Sequence, residues 1–167
     1  MQLLVIRHAI AEEREDFART GQDDDLRPLT PEGRRRMRRA ARGLRRVVPR
    51  IALLAASPLV RADQTAEVVA GVYRLPEWDT WPELAPGAAP GMLLDRLGSM
   101  HVQGGPVAVV GHEPDLGELV SWLLSGHARS FVEMKKGSAC LLDLDGPPER
   151  ARLLWHLAPA HLRRLRR

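Results

Sequence analysis

The chain has 167 residues, 44% apolar and 28% charged, the profile of one folded domain rather than a disordered segment. No apolar stretch is long enough to span a bilayer, no signal-peptide pattern opens the chain, and the lone Cys140 excludes an internal disulfide, so a cytoplasmic protein is expected. The net charge of +4 is carried almost wholly by arginine and is compatible with nucleic acid, an anionic surface, phosphorylated substrates, or a plain preference for arginine.

The run Leu3, Leu4, Val5, Ile6 reads as a buried strand that stops at Arg7-His8. Residues 9–26 are polar, with the acidic cluster Asp23-Asp24-Asp25, and predict a loop with at most a short helical turn. Thr30-Pro31-Glu32 then opens a helix: threonine caps, proline suits the first turn, and glutamate complements the dipole. In that helix Met37, Ala40, Ala41, Leu44, Val47 and Val48 recur at helical spacing and leave the arginines of 34–46 on a solvated face. Pro49 ends it.

Residues 51–56 predict a second buried strand, and Ser57-Pro58 a capped helix start running to about Val72. Residues 77–83 read as an edge strand or loop outside the core, and 91–100 as a helix. A third buried strand is expected over 106–110 and a helix over 113–124. Strand-like runs at 138–144 and 152–157, separated by Gly146-Pro147-Pro148, predict a hairpin. Cys140 falls in the first of these runs and reads as a packing residue. The basic end, with Arg163, Arg164, Arg166 and Arg167, reads as a frayed tail over about 159–167. Alternating strands and helices imply an α/β domain spanning 1–167: a three-layer α/β/α arrangement whose mostly parallel sheet ends in an antiparallel element.

Each of the three central strands is followed by residues able to meet a phosphate. The first offers Arg7-His8; the second Ser57 and, one helical turn on, Arg61; the third Gly111-His112. In a parallel sheet these carboxyl ends share one edge, so two histidines and two arginines converge on one crevice. His8 and His112 also offer two metal ligands, with Asp115 as a third, but the arginines beside them favour an anion over a cation.

The Arg7-His8 start, the Ser57-Pro58-x-x-Arg61-Ala62-x-Gln64-Thr65 segment and the Gly111-His112 turn resemble the histidine phosphatase superfamily. The compact length and Arg27-Pro28-Leu29-Thr30-x-x-Gly33 are similar to its SixA-like phosphohistidine phosphatases. The likeness covers nearly the whole chain and weakens after Gly126; Ala9 replaces the glycine of the hallmark Arg-His-Gly. The resemblance implies a phosphoglycerate mutase-like fold and a phosphatase that needs no metal or cofactor. It implies His8 as nucleophile and Arg7, Arg61 and His112 as ligands of the phosphoryl oxygens. Ser57 then sits at the phosphate, Arg27 at the rim, and Glu83 is the candidate proton donor, with an acid of 23–25 or Glu113 as substitutes. The expected substrate is a histidine-phosphorylated signalling protein, or alternatively a small phosphate ester, handled by a monomer. A nucleic-acid or acidic-protein binding module is the competing class; no aromatic residues interleave the arginine cluster, which counts against it.

Overall fold

The computed structural model describes residues 1–127, 129–144 and 151–165. Six strands form one sheet: β1 (Gln2–Arg7), β2 (Leu53–Ala56), β3 (Asp79–Thr80), β4 (Val107–Gly111), β5 (Ala139–Asp143) and β6 (Arg152–Leu157), in the order β3-β2-β4-β1-β5-β6. The first four in that order are parallel, and β5 runs antiparallel to both β1 and β6. The helices are α1 (Arg14–Ala18), α2 (Pro31–Val47), α3 (Val60–Tyr73), α4 (Pro90–Gly98), α5 (Asp115–Ser125) and α6 (Pro159–Arg164).

Leu3 to Ile6 and Val107 to Val110 are wholly buried because helices cover both faces of the sheet. Leu4, Ile6, Ala108 and Val110 pack with Met37, Leu44, Val69 and Leu162 from α2, α3 and α6, whereas Leu3, Val5, Val107 and Val109 pack with Leu93, Leu97 and Leu119 from α4 and α5. Successive strand residues therefore feed opposite cores, which makes three layers.

Several boundaries depart from the sequence reading. Thr30 does cap α2 through the Gly33 amide, at 2.9 Å. Ser57-Pro58 does not begin α3, which starts at Val60; the Ser57 hydroxyl is turned to another use described below. Val47, expected in the apolar stripe, is exposed, whereas Leu44 and Val48 on either side of it are buried. Residues 77–83 include the edge strand β3, yet Trp81 is fully buried, against the expectation of a segment outside the core. The guanidinium of Arg96 lies 4.4 Å from the centre of the Trp81 ring.

The basic end is not frayed through its length, since residues 159–164 form α6 against α2. That contact depends on Gly43, where a side chain's first carbon would come within 1.7 Å of the Leu162 carbonyl oxygen. Arg166 and Arg167 lie outside the described residues, as does the Gly146-Pro147-Pro148 connection of the β5–β6 pair.

Candidate active site

The topology sets the ends of β1, β2 and β4 side by side. The His8 amide donates to the Gly111 carbonyl at 3.0 Å, and the Ser57 amide to the Val110 carbonyl at 2.9 Å, so the three exits are stitched together immediately beyond the sheet. His8 and His112 are both buried, and their ring centres stand 5.1 Å apart. This is the convergence the strand ends predict.

The imidazoles are oriented differently. His8 Nδ1 lies 2.7 Å from the Ala9 carbonyl oxygen, which can only accept, so Nδ1 carries the proton and the neutral ring keeps its lone pair on Nε2. Burial, then the charges of Arg61, Arg7 and Lys136, depress His8 to a pKa of about 4, against the opposing pull of the Ala9 carbonyl. His112 is held lower, at about 3, by burial first and then by His8, Arg61, Arg7 and Arg27. Its Nε2 lies 2.8 Å from the Ser57 hydroxyl. Both rings are neutral near pH 7.

The arginines are tethered. Arg7 donates from Nη1 to the Met134 carbonyl at 2.6 Å. Arg61 donates from Nη1 to the Asp24 carbonyl at 2.9 Å and pairs through Nη2 with the Asp24 carboxylate at 3.3 Å. Asp24 also receives Arg27 Nε at 2.8 Å and Arg14 at 3.5 Å. Its carboxyl is held below the usual range, chiefly by the Arg27 hydrogen bond. Arg27, expected at an open rim, is buried and also donates to the Glu12 carbonyl at 2.7 Å.

A threonine the sequence reading left without a role latches the loops. Thr65 Oγ1 accepts from the Ala9 amide at 3.0 Å and donates to the Arg61 carbonyl at 2.7 Å. Among the described residues only Arg74 has a left-handed backbone outside glycine, so Ala9 occupies its position without the conformation that would demand glycine.

Five buried polar atoms have no hydrogen-bond partner among the described residues: Arg7 Nε, Arg61 Nε, His112 Nδ1, Ser138 Oγ and Glu83 Oε2. An unmade bond at such an atom costs about 1–3 kcal/mol. Two of the five are guanidinium donors flanking a pair of neutral imidazoles, an arrangement that receives an acceptor-only ligand such as an oxyanion. Glu83 lines one small cleft with His112, its Oε1 tied to Arg96 Nη1 at 2.9 Å. Its own backbone amide and then Arg96 hold the carboxyl below its ordinary value, whereas burial raises Glu113, whose Oε1 accepts from the Met134 amide at 3.2 Å.

Fold and edge together define an α/β protein with a buried, cation-flanked histidine pair at the carboxyl end of its parallel strands. The sequence model of the histidine phosphatase superfamily (branch 1) matches residues 3–97, and the chain belongs to that superfamily. A protein of a Picosynechococcus species is 34% identical over 137 residues, 81% of either chain. The phosphohistidine phosphatase SixA of Escherichia coli is 29% identical over 165 residues, covering 98% of this chain and 97% of SixA. The structure of the protein histidine phosphatase SixA complexed with tungstate superposes with a TM-score of 0.80 at 28% identity, covering 97% of this chain and 99% of that one. Membership and these likenesses make the chain a phosphatase.

Proposed function

We propose that the chain hydrolyses phosphohistidine on a protein, with His8 as nucleophile and without a metal. The observation that carries this reading is the lone pair left on Nε2 of a buried, neutral His8 between two arginines. Nε2 attacks phosphorus as the bond to the substrate's imidazole nitrogen breaks, the electron pair leaving with that imidazole, which takes up a proton from solvent water. Water then attacks the phosphoryl group on His8, releasing inorganic phosphate and restoring the ring.

Arg7 and Arg61 hold the oxygens through their guanidinium donors. His112 joins them through Nδ1–H when the Ser57 hydroxyl donates to its Nε2, which gives Ser57 a supporting role at the phosphate. Positioning and charge stabilisation of this kind supply most of the catalysis in phosphoryl transfer. Arg27 acts one step back, sharing Asp24 with Arg61.

The state of Glu83 supports the choice of substrate. A carboxyl pulled below its ordinary value is a poor proton donor near neutral pH. An alkoxide leaving group needs such a donor far more than an imidazole does, so this site suits phosphohistidine better than an alkyl ester. Glu83, with its free Oε2, then serves the second step by taking a proton from the attacking water.

Turnover of a histidine-phosphorylated protein should be compared with a panel of alkyl and sugar phosphates, with and without a metal chelator. The reading expects kcat/KM at least tenfold higher on the phosphoprotein, insensitive to chelator. Faster turnover of a small ester would replace the proposed substrate with that ester.

A further inference from the structure

Beside the histidine pair, the same edge of the sheet builds a second concavity that the hydrolysis leaves unused. Ile6, Ala139 and Leu157 lie in one row across β1, β5 and β6, so the chain after β1, ahead of β5 and after β6 emerges at one place. With α2 and α6 these segments enclose a pocket of about 210 Å³. Arg36, Lys135, Lys136 and Arg163 stand on its walls, and among the described residues no acid lines it. Ile10, Met37 and Pro159 supply apolar surface.

Its charge is poorly neutralised. Lys135, Lys136 and Arg163 form no ion pair among the described residues. The acid whose charge reaches Arg163, Glu32, is already shared by Arg35 and Arg36. The chain has 25 basic residues, and its only two lysines stand side by side here. Lysine presents a compact charge on a flexible stem where arginine presents a rigid fork. A cationic wall without carboxylates repels itself, and an anion relieves it.

The pocket adjoins the nucleophile. Ala9, which lines it, follows His8 directly, and the Gly137 amide, also on the lining, donates to the His8 carbonyl at 3.1 Å. Lys136, on its wall, is near enough for its charge to act on the His8 ring, which puts the pocket within the span of a ligand held at His8.

We infer that this pocket is a second anion subsite, taking a carboxylate or phosphate joined through a short carbon linker to the group whose phosphoryl reaches His8. The inference rests on His8's pocket binding the phosphoryl group. Two sources share the chemistry: an Asp or Glu side chain next to the phosphohistidine of a protein, and the second acidic group of a small ester.

Binding of phosphonoacetate, 3-phosphonopropionate and 4-phosphonobutyrate to the full chain should be measured by calorimetry against alkylphosphonates of matched length. At least one carboxylated member should bind about tenfold more tightly than its match. The double variant Lys135→Ala, Lys136→Ala should bring that ratio to about one, and the paired lysine-to-arginine variant should restore most of it. Both lysines are outside the core, so these variants retain the fold. A preference for phosphohistidine peptides with glutamate over glutamine beside the histidine assigns the subsite to a polypeptide. A preference confined to the phosphonocarboxylates assigns it to a small ester. Ratios near one at every length and in the peptides, with alkylphosphonates still binding, overturn the subsite alone. Failure of every phosphonate to bind overturns the phosphoryl pocket and the subsite with it.

Discussion

Arg61 and Arg38 are the same side chain under different rules. Arg61 is 4% exposed, tied to Asp24 through its backbone carbonyl and its carboxylate, and left with a buried Nε that has no hydrogen-bond partner among the described residues. Arg38 is exposed on α2, in a row with Arg34, Arg42 and Arg46 one helical turn apart, where water screens the charge and Arg34 is paired with Glu67. If Arg61 holds the phosphoryl group as proposed, net charge is a poor guide to where an anion binds. What matters is whether a guanidinium has been desolvated, held still and left one donor short.

Arg61→Ala should lower kcat/KM by about a hundredfold to a thousandfold, as the loss of a preorganised oxyanion donor does. Arg38→Ala should change it by less than a factor of two; equal losses in steady-state kinetics would erase the distinction between the two regions.

Acid should strike the site before the surface. His8 and His112 have folded pKa values of about 4 and 3, below the ordinary 6.5, so the folded chain binds fewer protons than the unfolded one between those limits. Stability from this source is complete above about pH 6.5 and is lost as the pH falls through 4 and then 3. For His8 alone the depression corresponds to about 3 kcal/mol. Histidine NMR should find both site rings neutral at pH 5.5. Urea melts should lose stability on going from pH 7 to 4.5, and about half as much in a His8→Asn variant, where His112 still titrates.

Asp24→Asn gives an intermediate effect, because it removes the charge shared by Arg61 and Arg27 and leaves the backbone tether. KM should rise about tenfold, with kcat falling less, and Asp24→Glu should recover part of the loss. A drop in kcat alone would make Asp24 a participant in the chemistry instead of a positioning residue.

The sheet and the histidine pair were legible because strands buried on both faces are continuous apolar runs. Residues following them must then meet at one edge. The convergence of Arg7, His8, Arg61 and His112 on that edge follows from this pattern. Asp24 was hidden because its partner Arg61 lies 37 residues away, and an acidic loop gives no local sign of what it will neutralise. Trp81 and α6 were misread for a related reason: a two-residue strand and a basic terminus look like surface until α4 and Gly43 of α2 supply something to pack against. Ser57-Pro58 carried a capping signature, but the serine hydroxyl was spent on His112 instead. The lysine-walled pocket left only one trace in the sequence, the isolation of Lys135 and Lys136 in an arginine-rich chain.

The central claim is that His8 Nε2 receives the phosphoryl group. Enzyme mixed with a histidine-phosphorylated protein should be quenched within milliseconds in alkaline denaturant, where phosphohistidine survives, and its peptides weighed. The account predicts a phosphoryl group on the peptide holding His8, none in His8→Asn, and a loss of turnover of at least about a thousandfold in that variant. Turnover with phosphate on no enzyme residue, or on a residue other than His8, would contradict it.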